Sequence, residues 1–225
     1  MVVKADLHVH SCYSSDSMIT PKELILFAKK RGLNAVAVTD HNRVEGALKI
    51  AKQTPDFLII PGIEVSSADG HIVGLNLREV IPRGLSAEVT VEKIHDAGGV
   101  AVACHPYALF KGSLGKNVSA KFDAIETLNA RAFPFHRSRR KAEQAAVQFG
   151  LSRVAGTDAH YAPQIGVAYT VIDAEPTVDA VAQAILAGRC KPMGTSVPVV
   201  VNVQQQLQRL HRMVAKFGKA PHEAI

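Results

Sequence analysis

Histidines and carboxylates recur along this chain at one kind of place, just after an apolar run. Asp6-Leu7-His8-Val9-His10 puts two imidazoles at i and i+2, so both point to the same face of a strand or its end. Two such nitrogens can bind one divalent cation at about 2.0–2.1 Å. A lone pair of this kind is more often structural, but here it has company. Thr39-Asp40-His41-Asn42, Ile63-Glu64, Cys104-His105-Pro106 and Gly156-Thr157-Asp158-Ala159-His160 each follow an apolar stretch of their own. In β/α barrels the rim where strands give way to loops is where sites are assembled. The chemistry such a set would support is metal-assisted hydrolysis. Mixed imidazole and carboxylate ligands without thiolates suit Zn²⁺, Mn²⁺ or Fe²⁺, and the hard oxygens tilt the choice towards Mn²⁺. Cys12 and Cys104 adjoin these groups and read as small buried residues. Asp6 and Asp40 precede histidines and either orient imidazoles by accepting their second N–H or bond nearby loops.

The elements that must position these groups alternate between short β-rich runs and amphipathic stretches, the pattern of βα units around a parallel sheet or barrel. Strands are expected at Val2–Leu7, Ala35–Thr39, Leu58–Ile63, Ile72–Leu77, Val100–Cys104, Ala124–Leu128, Arg153–Gly156 and Ala168–Ile172. Several are unbroken Val/Ile/Ala runs, as expected when both faces of a sheet are covered. Thr20-Pro21-Lys22-Glu23 opens a helix with a capping box and a proline at the first helical position, and Gly32 closes it. Further helices are expected over Arg43–Gln53, Ser86–Ala97, His136–Phe149 and Thr177–Ala187, with a tight turn at Asp69-Gly70 leading into an antiparallel strand. Residues 198–225 read as a helical tail of a single 1–225 domain. Its Val203, Leu207, Leu210 and Val214 are expected to pack on the barrel, and Arg209, Arg212, Lys216 and Lys219 supply charge.

Composition narrows the class. The chain has 225 residues, 47% of them hydrophobic and 20% charged, which is ordinary globular composition. No apolar run approaches the 18 or so residues that cross a bilayer, and no signal peptide is visible. Three cysteines without a C-x-x-C pair argue against a disulfide framework, so a cytoplasmic protein is expected. The net charge of +6 favours anionic partners such as phosphates or nucleic acid, although mildly basic proteins are common for solubility alone. No G-x-S-x-G elbow or Cys–His pair points to a side-chain nucleophile.

Asp6-Leu7-His8-Val9-His10-Ser11, Thr39-Asp40-His41-Asn42, Pro61-Gly62-Ile63-Glu64, His105-Pro106 and Thr157-Asp158-Ala159-His160 together resemble the ordered motifs of the PHP (polymerase and histidinol phosphatase) family. The match runs from the N-terminus to about residue 172, and the chain is similar in particular to the small stand-alone phosphoesterase branch. The resemblance implies a distorted (β/α)7 TIM-like barrel with two or three divalent metal ions at its rim. It assigns His8, His10, Glu64 and Asp158 to a first metal. Glu64 would bridge to a second metal held by His105 and His71, and Asp16, His41 and His160 would hold a third.

Closely spaced divalent cations acidify a bridging water, so the expected reaction is hydrolysis of a phosphomonoester by a metal-bridging hydroxide. Asp158 and His160 are the expected catalytic pair, and His136 is a candidate proton donor to the leaving group. Glu126 and Asn129 could grip a substrate, and a phosphate clamp is expected from Arg131, Arg137 or His136, although a solvated helix face explains the charge run over residues 136–141 equally well. The substrate would be a nucleotide, an oligonucleotide end or a small phosphorylated metabolite. Two other readings stay open: a non-catalytic RNA-binding subunit of the PHP-like kind, and a metal-dependent amidohydrolase.

Overall fold

The computed structural model describes residues 1–109 and 112–217, and residues 209–217 by their backbone alone. Among the described residues, nine strands form one sheet: β1 (Val2–Val9), β2 (Ala35–Val38), β3 (Leu58–Ser66), β4 (His71–Leu75), β5 (Val100–Ala103), β6 (Ala124–Asn129), β7 (Ser152–Gly156), β8 (Ala168–Asp173) and β9 (Cys190–Gly194). Their order is β7-β6-β5-β4-β3-β2-β1-β8-β9. The sheet curls into a nearly closed barrel. Past the end of β7, the Asp158 N–H donates to His8 O at 2.7 Å, and the His10 N–H donates to Ala159 O at 3.0 Å, drawing the two strand ends together.

The sheet is mixed rather than all parallel. β1, β2 and β3 run parallel, as do β5, β6 and β7, but β4 opposes both its neighbours. The Asp69-Gly70 turn expected from the sequence lies between β3 and this reversed strand. β9 was not expected: Cys190-Lys191-Pro192-Met193-Gly194 has neither alternation nor β-branched residues. It pairs only as the outermost strand, against β8, where a proline costs no central hydrogen bond.

Helices α1 (Pro21–Lys30), α2 (Glu45–Gln53), α3 (Ala87–Asp96), α4 (Phe135–Phe149) and α5 (Val178–Leu186) fall within a residue or two of their expected spans. The α1 cap is reciprocal: the Glu23 N–H donates to Thr20 Oγ1 at 3.3 Å, and the Thr20 N–H donates to Glu23 Oε2 at 2.9 Å. Leu24 and Ala28 of α1 and Ala47 and Ile50 of α2 pack on the outer faces of β1 to β3. Ala142, Ala145 and Ala146 of α4 pack with Ile125 on the outside of β6. Val181, Ala184 and Ile185 of α5 join the inward residues Val3, Leu75 and Val100, so this helix closes the barrel interior.

A sixth helix, α6 (Val199–Phe217), follows. It meets the barrel through a different face from the one expected. Val201 packs with Leu128 and Ala168, and Gln205 is buried, its Oε1 accepting from Gln164 Nε2 at 2.9 Å. Val203 and Leu207 are 51% and 61% exposed, because the docked positions lie two residues before each in helical phase. The side chains of Arg209, Leu210, Arg212, Val214 and Lys216, and all of Lys219, lie outside the described residues. No helix among the described residues is long and apolar enough to cross a membrane.

Ile60 is fully buried within the barrel. Ile60→Ala is expected to lower unfolding stability in urea by about 2–5 kcal/mol. Thr20→Ala, which removes the α1 cap, should cost only about 0.5–2 kcal/mol.

Candidate metal centre

The site-forming strands run small aliphatic side chains up the barrel interior and end in a polar group. Inward Ala35 and Ala37 on β2 precede His41, inward Ile60 on β3 precedes Glu64, and inward Val154 on β7 precedes Asp158. On β1 the register slips by one residue between Asp6 and Val9, a bulge. Val3, Ala5 and Leu7 face the interior, whereas Val9 packs outside with Leu24 and Ile50. The bulge therefore re-aims His8 and His10 inward. Because β4 is reversed, its first residue, His71, pairs with Ser66 and stands on the same rim.

These groups converge on the buried carboxylate of Glu64. Its Oε1 lies 2.9 Å from His71 Nδ1 and 2.9 Å from His105 Nε2. Its Oε2 lies 3.4 Å from His8 Nε2, 3.1 Å from His10 Nε2 and 3.0 Å from His41 Nδ1. Yet Oε2, fully buried, makes no hydrogen bond. His8 Nε2 and His10 Nε2 face each other at 3.2 Å, and both approach Asp158 Oδ1, at 3.9 and 3.5 Å. Across the pocket, Asp16 Oδ2 lies 2.8 Å from His160 Nε2 and 3.3 Å from His41 Nε2.

Four overlapping groups have ligand atoms all within 4.8 Å of one another: His8, His10 and Asp158; His41, Glu64 and His71; His10, Asp16, His41 and His160; and His8, Cys104 and His105. Donor atoms crowded towards common points, with a buried carboxylate oxygen left without a hydrogen, form the arrangement that a divalent cation satisfies. The residues present fit such ions. Glu64, His71, His105, Asp158 and His160 open onto a pocket of about 280 Å³.

Electrostatics agree with the geometry. Burial pushes the His8 pKa down, but Glu126 and Glu64 beside it outweigh this and raise it to about 10. A field that favours a proton there also favours a cation in its place. Burial alone would raise Glu64, yet the charge on His8 and the close approach of His10, His105 and His71 hold it well below the usual carboxylate range. Burial lowers His160 to about 4 against the opposing pull of Asp16, and burial together with His160 holds His10 far below its ordinary value. Both imidazoles are thus neutral near pH 7, the form that ligates metals.

Among the described residues, four non-glycines have positive φ: Asn42, Asn76, His105 and Asp158. Of these, His105 (φ 32°) and Asp158 (φ 60°) belong to the candidate ligand set, and each conformation costs about 1–3 kcal/mol. Hydrogen bonds over-determine both: the His105 N–H donates to Glu126 Oε2 at 2.8 Å, and the Asp158 N–H is the one held by His8 O.

Glu126 is the supporting residue that sequence reasoning misplaced. Instead of gripping a substrate, it is buried, accepts from His8 Nδ1 at 2.9 Å and holds the His105 backbone. Its signal was a carboxylate on the inward phase of a fully buried strand. Asn129 is also turned to support: its Nδ2 donates to Glu126 Oε2 at 2.9 Å, and its Oδ1 accepts from the Arg131 N–H at 3.1 Å. Among the described residues, neither Asp6 nor Asp40 accepts a hydrogen bond from an imidazole ring. Asp6 accepts from the backbone of His8, Thr157 and Gly166, and Asp40 from the backbone and hydroxyl of Ser11. Cys104 is buried as expected, but Cys12 is exposed, because the loop after β1 turns it outward.

Arg131 lines the pocket, its Nη1 donating to Asp158 O at 2.9 Å. His136 and Arg137 do not. Both are exposed on the first turn of α4, outside the residues that line the pocket.

The PHP domain model matches residues 6–121, and the PHP-associated model matches residues 136–190. The chain belongs to the PHP domain family. An uncharacterised protein of Methanocaldococcus jannaschii is 38% identical over 148 residues, which cover 60% of this chain and 84% of that relative. A 5'-3' exoribonuclease of Haemophilus influenzae is 37% identical over 89 residues, 37% of this chain and 32% of that enzyme. Among solved structures, a two-domain protein from Bacteroides vulgatus, described as containing a predicted PHP-like metal-dependent phosphoesterase, superposes with a TM-score of 0.72 at 18% identity. That likeness covers 87% of this chain and 65% of the other, and it shows the shared PHP fold.

Glu126→Ala should weaken Mn²⁺ or Zn²⁺ binding about 10–100-fold in a titration, with the far-UV spectrum unchanged. Gly156→Ala should be worse, since a Cβ there overlaps His8 Cβ and comes within 2.7 Å of Glu126 Oε1. Removing metal with a chelator should lower the thermal midpoint, and adding metal at 100 times its Kd should return about 2.7 kcal/mol. Unchanged affinity in both variants would remove Glu126 from the centre.

Proposed function

We propose that this protein is a metal-dependent phosphoesterase that hydrolyses phosphomonoesters of nucleotides or small phosphorylated metabolites. The observation that carries the reading is the crowding of imidazole nitrogens around Glu64 Oε2, buried and without a hydrogen bond, beside an open pocket. In this reading His8, His10, Glu64 and Asp158 hold one ion, Glu64, His71 and His105 a second, and Asp16, His41 and His160 a third. Two or three ions of Mn²⁺, Zn²⁺ or Fe²⁺ suit these donors. When bound, such ions supply positive charge to the phosphoryl oxygens and make a water acidic enough to attack phosphorus near neutral pH.

The chain's own groups do the positioning. The Arg131 guanidinium, 3.7 Å from Asp158 Oδ1, stands at the pocket wall where it can pair with a phosphate oxygen. Glu126 fixes the His8 ring by accepting at Nδ1, which turns Nε2 towards the centre. Little covalent chemistry is asked of the protein, because phosphoryl transfer is governed by positioning and charge. The names carried by relatives, an exoribonuclease and a phosphoesterase, support phosphate esters as the substrate class.

A phosphate-release screen over nucleotides and sugar phosphates with Mn²⁺, Zn²⁺ and Mg²⁺ tests this, run beside amides and lactones. Asp158→Asn and His160→Ala should each lower turnover by about 10²–10³-fold, the scale for losing one electrostatic group, without unfolding the chain. Cleavage confined to amides or lactones would defeat the proposal, as would a metal-free protein that binds RNA tightly.

A further inference from the structure

We propose that Phe133 and the first two turns of α4 form a docking surface for single-stranded nucleic acid, leading from solvent to the metal pocket. This rests on the phosphoesterase reading and names the substrate class that the open side of the pocket suits.

Arg137, Arg139, Arg140 and Lys141 follow one another on α4, with no carboxylate before Glu143. Glu143 is itself engaged by Arg153 at 3.0 Å. Among the described residues, no ion pair engages Arg137, Arg139 or Arg140. A helix face needs charge for solubility, but not charge of one sign only. In a chain of net charge +6 this run adds self-repulsion that a polyanion relieves.

The run starts beside the pocket wall. Phe135, Ser138 and Arg139 border, with His105, a space of only about 10 Å³, and His105 also lines the metal pocket beside Arg131. Between Arg131 and the helix, the chain presents Phe133, 63% exposed. Leu109, 43% exposed, donates its backbone N–H to Phe133 O at 2.7 Å, which holds the loop on the rim. An exposed ring beside a basic track is the combination that binds single strands: bases stack on the ring while phosphates follow the cations. Arg137 and Lys141 are separated by about 6 Å along the helix axis, so successive phosphates of a strand can meet more of the track than a single phosphate does. His8, His10, Glu64, His105, Asp158 and His160 are buried, and only Asp16, His41 and His71 are part-exposed, so a flexible strand can deliver a phosphate to the centre where a stiff duplex cannot.

Labelled ribo- and deoxyribo-oligonucleotides of 2 to 16 nucleotides, titrated by fluorescence anisotropy in the Asp158→Asn background, test the surface. Affinity should rise with length over the first several nucleotides and then level off. Arg139→Ala with Arg140→Ala should flatten the salt dependence by about 1.4 in log–log slope, about 0.7 for each phosphate no longer neutralised. Phe133→Ala should weaken binding about 10-fold or more. In the Asp158-intact enzyme these variants should leave hydrolysis of p-nitrophenyl phosphate unchanged. Lys29→Ala with Lys52→Ala, on α1 and α2, serves as a control for general charge. Binding independent of length, or weakened equally by the control pair, overturns the surface. Arginine-dependent binding without any phosphoester cleavage supports the surface and overturns the catalytic reading alone. Ester cleavage without length-dependent binding does the reverse.

Discussion

A carboxylate taken out of water is costly unless positive charge or hydrogen bonds replace its hydration, and Glu64 is buried with imidazoles on every side. Five ring nitrogens stand within 3.4 Å of its two oxygens. That single anion sets the problem the rest of the barrel solves. His8, His10, His41, His71 and His105 lie on or just past four different strands, so those strands must end level with one another. Glu126, a second buried anion, then fixes His8 from behind and the His105 backbone from the side. Such nested charge is stable only when fully compensated, which is why sites of this composition hold cations.

The barrel's irregularities serve this requirement. A regular β1 would send His8 outward with Asp6; the bulge between Asp6 and Val9 brings it in. A parallel β4 would put His71 at the far end of the barrel; reversing that strand puts it opposite Ser66. The left-handed backbone at His105 and Asp158 turns side chains into the pocket just where two strands end. Several departures from regular geometry lie beside the candidate ligands, and the inward aliphatics below them leave the lower barrel as ordinary core.

The pocket's surroundings divide into two kinds of surface. On the side of β1 to β3, helices α1 and α2 cover the sheet with mixed charge, including the capping carboxylate Glu23 and the basic last turn of α1. On the side of β6, α4 brings a run of one sign next to the rim. Charge of one sign beside a pocket raises local anion concentration and steers encounter. The two sides of the same pocket therefore differ in what they can recruit.

Much was legible in the chain itself. Eight of the strands and the five helices before α6 follow from apolar periodicity, caps and turn residues, because those signals act within a few neighbouring positions. The convergence of His8, His10, His41, Glu64, His105, Asp158 and His160 was also legible, since these groups follow apolar runs, whereas Asp16 and His71 follow polar loops and came only from the resemblance. What required tertiary structure was orientation. Whether Glu126 and Asn129 face a substrate or brace a histidine depends on the phase of β6 relative to β1, which no local pattern encodes. Whether His136 and Arg137 enter the pocket depends on how α4 is tilted over its loop, and whether Val203 or Val201 meets the barrel depends on the rotation of α6. Composition and spacing decide which groups are present and which element bears them. Packing between distant segments decides which way each one points.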